Sequence, residues 1–279
     1  MSTPTSGHSR RAVLGALTVA AIGTPIALGQ PWVHAASTVA PAPDGAAWHP
    51  DPAKDRLKAF EGIEADRAHL HPGREYVVVE DDHWRFSIST DDRDSTGGGD
   101  RQRTEAKGMV TGGKPVKMRD GETWRIAYEM FVPASMHGTD RFTHIFQAKT
   151  PKNNGGPWVT LSLSRSGGAE LIRLQADGTS GNPSIASHEL EAVQEKWTTV
   201  EITMRIGEKG SAGLVLRPTD DHEAATSILA QGTKNNIKIP AQGDYVRPKW
   251  GIYRSLRSNP ADIENTFLLF RSFSATKLG

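Results

Sequence analysis

The chain has 279 residues, 37% of them hydrophobic, with seven Trp, eight Phe and no Cys. That content supports a sizeable core and excludes a globally disordered chain, while the lack of Cys excludes disulfides, thiolate catalysis and Cys-based zinc sites. A formal net charge of +1 is too near neutral for a general nucleic-acid binder.

The N-terminus pairs Arg10 with Arg11, continues uncharged from Ala12 to Leu28, and reaches Val33-His34-Ala35 before Ala36. This is the layout of a cleavable export signal and resembles the twin-arginine type, so residues 1–35 are expected to be removed and the protein secreted, without membrane attachment. The remaining chain carries 31 basic and 32 acidic residues, a balance of −1. Residues 36–55 begin Ala- and Pro-rich and are expected to form a flexible linker. Residues 56–279 are expected to form a single domain, and a monomer is the simplest expectation.

In the segment DPAKDRLKAFEGIEADRAHLHPG, a short helix around Leu57 and Phe60 competes with a strand at FEGIEA. From Glu75 onward, alternation takes over. EYVVVED, HWRFSIST, RTEAKGMV, TWRIAYEMFVP, RFTHIFQAKT, WVTLSLS, AELIRLQADG, KWTTVEITMRIG, AGLVLRPT, RPKWGIYRS and NTFLLFRSFSA are short, rich in β-branched or aromatic residues, and separated by turn formers. Without long helices to make parallel crossovers, roughly a dozen strands predict an antiparallel β-sandwich or jelly roll of the concanavalin A-like kind. In TWRIAYEMFVP, Trp124, Ile126, Tyr128, Met130 and Val132 share the core face. KWTTVEITMRIG would bury Trp197, Val200, Ile202 and Met204 if a bulge absorbs the slip after Trp197. SHELEAVQEK reads as the one helix in this region.

Three strands break the apolar-in, charged-out rule. RTEAKG puts Arg103, Glu105 and Lys107 on one face, with Thr104, Ala106 and Gly108 behind. RFTHIFQAKT pairs Gln147 with Lys149 and turns His144 and Phe146 away; RPKWGIYRS aligns Lys249, Gly251, Tyr253 and Ser255 opposite Trp250, Ile252 and Arg254. If these strands are neighbours, their polar faces make a concave groove floor for an anionic, hydroxyl-rich polymer.

RTEAKG resembles the R-T-E-L-R strand of alginate-lyase-like jelly rolls, FQAK their Gln-Ile-His strand, and KWGIYRS their K-A-G-V-Y-N-Q strand, in the same chain order. KWGIYR is also similar to the wider group that includes heparin lyase and glucuronan lyase. The resemblance implies a secreted lyase that cleaves an acidic, uronate-containing polysaccharide by β-elimination. It implies catalytic roles for Arg103 and Gln147 on the substrate carboxylate, for Tyr253 as base or acid at the scissile bond, and for Lys149. Glu105, Lys107, Lys249 and Arg254 are expected to bind substrate. Such a reaction needs the carboxylate beside C5 neutralised before a base can act, and a Tyr in that role needs nearby cations such as Arg103 or Lys249. The family's His two residues after Gln is Lys149 here, which could neutralise the carboxylate or, desolvated, act as base. Recruiting His144 instead would require a bulge between it and Gln147.

No cofactor is expected. The His residues lack H-E-x-x-H or comparable spacing, so no metal site is expected, and STGGGD lacks the strand-to-helix setting of a phosphate loop. The acidic pairs Asp81-Asp82, Asp91-Asp92 and Asp220-Asp221 read as surface loops, with a structural calcium left open. A non-catalytic carbohydrate-binding module of the same fold is the main alternative. A glycoside hydrolase would need a second groove carboxylate beside Glu105.

Overall fold

The computed structural model describes residues 45–95, 99–151, 155–219 and 227–279. The expected export signal, most of the glycine triplet and Asp220-Asp221 lie outside the described residues. The strands in chain order are β1 (Ala46–Trp48), β2 (Gly62–Ala65), β3 (Val77–Glu80), β4 (His83–Ile88), β5 (Arg101–Lys107), β6 (Val110–Thr111), β7 (Lys114–Pro115), β8 (Thr123–Phe131) and β9 (Thr143–Lys149). They continue with β10 (Val159–Ser166), β11 (Ala169–Gln175), β12 (Ser184–Glu189), β13 (Trp197–Arg205), β14 (Gly207–Pro218), β15 (Ala230–Ile239), β16 (Arg247–Ser255) and β17 (Thr266–Lys277).

Every ladder between these strands is antiparallel. One sheet runs β15-β14-β13-β8-β17-β4-β3 with β1 added to β17, and the other runs β12-β11-β10-β9-β16-β5-β2. The jelly-roll sandwich expected from the alternation is therefore present, and β5, β9 and β16 are adjacent, with β16 in the middle. Between the sheets, Trp124, Ile126, Tyr128 and Met130 of β8 are buried together with Phe146, Trp250, Phe270 and Phe273. The alternating faces of the strands supply this core, and its aromatic rings pack at the offset and edge-on angles their quadrupoles favour.

Several expectations need correction. The linker does not extend to residue 55: Trp48 is buried, stacked on Trp250 at 5.3 Å, and α1 (Pro52–Asp55) is capped by the Asp51 side chain. The ambiguous segment is helical and then extended, with a 3-10 turn at Arg56–Ala59 before β2. SHELEAVQEK is not a helix: β12 runs to Glu189, and only the 3-10 turn Leu190–Ala192 follows. β13 has no bulge, because it pairs with β8 without a break and buries Thr198. Trp197 consequently lies on the outer face, where the Arg271 guanidinium covers its ring at 4.0 Å.

Candidate active site

The outer face of the seven-stranded sheet carries two transverse rows of polar side chains. In the first, Lys107, Lys249, Gln147, Thr160 and Gln175 stand opposite one another across β5, β16, β9, β10 and β11. The second row is Arg103, Tyr253, His144, Ser162 and Arg173 across the same strands. His144 reaches this face because the register slips on both sides of β9. Going from Phe146 to His144 takes one step on β10, from Leu161 to Ser162, and three on β16, from Trp250 to Tyr253. Ile145 and Phe146 are both buried in the core, so the strand turns two consecutive apolar side chains inward. The bulge that His144 required is therefore real, and it corrects the expectation that His144 faces away from Gln147.

The first row and its neighbours form a buried ion network. Glu105, 1% exposed, accepts from Arg103 at 2.9 Å, from Lys249 at 2.6 Å and from the Gln147 amide. Glu64 accepts from Arg103 at 3.0 Å, Lys249 at 2.7 Å and Lys107 at 3.1 Å, while Asp94 takes the Nε and Nη2 donors of Arg103. Burial alone would raise the Glu64 carboxyl, but Lys249, Arg103 and Lys107 outweigh it and hold it well below the usual range. Burial likewise works against the charge of Arg103, and Glu105 and Asp94 reverse that, so the guanidinium stays firmly protonated. Arg103, Gln147 and Lys249 thus stand on the groove floor with donors already given to protein carboxylates. Their arrangement makes them a scaffold around Tyr253 and His144.

Tyr253 is held from two sides. The Arg103 guanidinium lies over its ring at 3.8 Å, and Arg101 Nη1 donates to its Oη at 3.1 Å. Across the ladder, the His144 ring is 6.1 Å from that of Tyr253 and stacks on Phe142 at 4.9 Å. Burial pushes the His144 imidazole down to about 4, and the nearby Arg103 and Lys249 charges push the same way against Glu105. The ring is therefore neutral at pH 7.

Lys149 stands elsewhere. It pairs with Arg247 and lies five positions along β9 from His144, roughly 15 Å on an extended strand. Its ammonium donates to the Gly155 carbonyl, and burial, then Lys249 and Arg103, lowers its pKa. With Arg103, Arg67, Arg247, Lys249 and Glu64 it lines a depression of about 270 Å³. A larger cavity of about 540 Å³ lies beside His137, Glu170, Glu189 and Glu191, away from both rows.

Arg254 is not in the groove. It is 2% exposed beneath the sheet, donating to the Gln102 side chain at 2.8 Å and to the Glu264 carbonyl at 2.7 Å, and burial lowers its pKa. The Asp91-Asp92 pair is likewise not a free loop: Asp92 is 2% exposed and accepts from Tyr76, Arg74 and the Ser89 amide. His71 completes that cluster at 2.8 Å from Asp91 and 3.2 Å from Asp92, and Arg74 supplies its counter-charge.

Sequence reasoning missed Arg101 and Arg173, and admitted His144 only on condition of a bulge. Arg173 ends the second row, with a buried Nε that has no hydrogen-bond partner and, among the described residues, no ion pair. Their trace in the sequence was slight. The Ile145-Phe146 doublet interrupts strict alternation in RFTHIFQAKT, and Arg173 and Gln175 alternate with Ile172 and Leu174 in AELIRLQADG.

No protein-family model matches the chain, and no curated protein matches it in sequence. Solved structures do match. The alginate lyase from Klebsiella pneumoniae superposes with a TM-score of 0.55 at 10% identity, over 82% of this chain and 99% of that one. An endo-β-1,4-glucuronan lyase from the fungus Trichoderma reesei gives 0.51 at 10% identity, over 83% and 95%. The fold is that of the alginate-lyase-like jelly rolls. The alginate-lyase-like sandwich thus agrees with the resemblance carried by RTEAKG, FQAK and KWGIYRS, and identity this low speaks to fold alone.

Proposed function

We propose that the protein is a secreted polysaccharide lyase that cleaves a uronate-containing glycan by β-elimination, with His144 and Tyr253 as the reacting pair. The observation that carries this reading is their shared rung, a neutral imidazole beside a phenol whose oxygen already accepts from Arg101. His144 Nε2 takes the C5 proton, the C4–C5 double bond forms, the C4–O4 bond breaks, and the Tyr253 hydroxyl protonates the departing O4. Arg101 then faces the phenolate that is left. Arg173, across Ser162 from His144, makes no ion pair among the described residues and feels Asp177 only at longer range, and it suits the substrate carboxylate whose neutralisation makes C5–H acidic. An imidazole held at about 4 is a weak base in the empty groove. A bound uronate raises it, because an adjacent anion favours the imidazolium.

The test is to incubate the protein with alginate, glucuronan, heparin and hyaluronan and to follow the absorbance of the unsaturated uronate. Product from at least one polymer supports the reading; glycan binding without product on any of them overturns it. That second outcome would favour a carbohydrate-binding module, the reading suggested by the internal neutralisation of Arg103 and Lys249.

Two further results are expected. In the free protein His144 is neutral above about 4, so kcat/KM should fall only as pH drops through that region, while the acid limb of kcat lies higher because substrate is bound. A kcat/KM limb near the ordinary His value would contradict the lowering of the His144 imidazole by burial. Lys149→Met should raise KM by roughly three- to fivefold, as for one partly screened ion pair, with kcat unchanged. A collapse of kcat in that variant would return Lys149 to the chemistry.

A further inference from the structure

Beside His144, a chain of hydroxyls runs along the outer face of β10 to a carboxylate. Thr160 and Ser162 share the outer face of β10, and Asp177 follows the end of β11. Thr160 Oγ1 donates to Asp177 Oδ2 at 2.6 Å, Ser162 Oγ donates to Thr160 Oγ1 at 3.1 Å, and Ser162 Oγ lies 2.8 Å from His144 Nδ1. The other Asp177 oxygen accepts from Gln175 Nε2 at 2.9 Å. Thr160 is 1% and Ser162 8% exposed, so exchange of these partners for water is restricted.

We propose that Asp177, acting through Thr160 and Ser162, fixes His144 as the Nδ1–H tautomer and so aims the lone pair of Nε2 into the groove. Asp177 is a positioning residue, and the inference rests on the lyase reading for its catalytic meaning. The direction follows from proton counting, since each hydroxyl has one proton. Thr160 uses its proton on the carboxylate and Ser162 uses its own on Thr160, which leaves Ser162 able only to accept from the imidazole. With the polarity reversed, either the Asp177 oxygen loses its donor or the Ser162 and Thr160 oxygens face each other as two acceptors, and such buried contacts are costly. His144 Nε2 has no hydrogen-bond partner among the described residues, which suits a base waiting for a C–H proton.

Thr160→Val removes the middle hydroxyl at nearly constant volume and frees the Ser162 proton to turn toward Nδ1. Imidazole nitrogen NMR, with His144 assigned by its loss in His144→Gln, reads the tautomer directly and needs no activity. The wild type should show a protonated Nδ1 and a bare Nε2; Thr160→Val should lose that preference, and Thr160→Ser should restore it. On a polymer that the protein cleaves, Thr160→Val should lower kcat by roughly ten- to a hundredfold, part of a full general-base contribution, with KM little changed. A wild-type His144 protonated at Nε2, or a Thr160→Val variant with an unaltered tautomer, would overturn the proposal. If no polymer is cleaved, the lyase reading fails while the tautomer result still decides the relay.

Discussion

Tyr253→Phe should reduce cleavage of a uronate polymer by roughly 10³-fold while leaving the fold intact, the loss expected when a positioned proton donor is removed. The substitution deletes one oxygen. What remains is the ring, which the Arg103 guanidinium covers at 3.8 Å and which packs on Phe142 at 5.0 Å, so the side chain keeps its place. Among the described residues, the only hydrogen bond lost is that from Arg101, whose side chain is 53% exposed and can be solvated instead. Initial rates from unsaturated product, compared with the wild type at equal circular dichroism and equal melting temperature, check this. A Phe variant within tenfold of wild type would remove Tyr253 from the reaction and leave its ring as a support for Arg103.

Gly251→Ala should destabilise the protein by about 2–6 kcal/mol, the sum of a strained left-handed backbone and an overpacked site, a large share of the margin that holds most domains folded. Gly251 has φ of +128° in the middle of β16, between Trp250 and Tyr253, where the register against β9 slips. A Cβ there would overlap the Thr104 carbonyl oxygen and lie 2.9 Å from Glu105 Cα and 3.0 Å from Phe86 Cδ1. Backbone on the adjacent strand cannot yield as the end of a long side chain can. Urea unfolding monitored by the Trp fluorescence of the core would show the loss as a lower midpoint. An unchanged midpoint would mean that the strand tolerates a regular conformation and that the slip beside Tyr253 is not locked.

The groove was legible wherever alternation and charge coincide. RTEAKG, FQAK and KWGIYRS each declared a polar face, and the structure makes β5, β16 and β9 neighbours in that order. The ion network was not legible, because Glu64 and Asp94 come from a short strand and a turn whose approach to Arg103 no local pattern records. His144 was hidden for a different reason: one extra residue in a strand inverts the face of everything before it, and alternation alone does not show where the inversion falls. Arg254 was counted as a binder for its charge, although its own strand pattern placed it opposite Tyr253, and there it is buried against Gln102. β15 was missed because Gln231, Lys234, Asn235 and Asn236 offer little apolar alternation, and pairing with β14 holds it in place. Trp48 shows the converse: a linker-like composition around it concealed a ring that the core requires.

All of these features converge on whether His144, brought to the groove by the bulge, is the group that takes the C5 proton. The direct measurement is the initial rate of His144→Gln on a uronate polymer that the wild type cleaves, with melting temperature as the control for folding. A fall of at least about 100-fold is expected for loss of the general base. A rate within twofold of wild type would contradict the pairing of His144 with Tyr253 and return the search for the base to the floor of the groove.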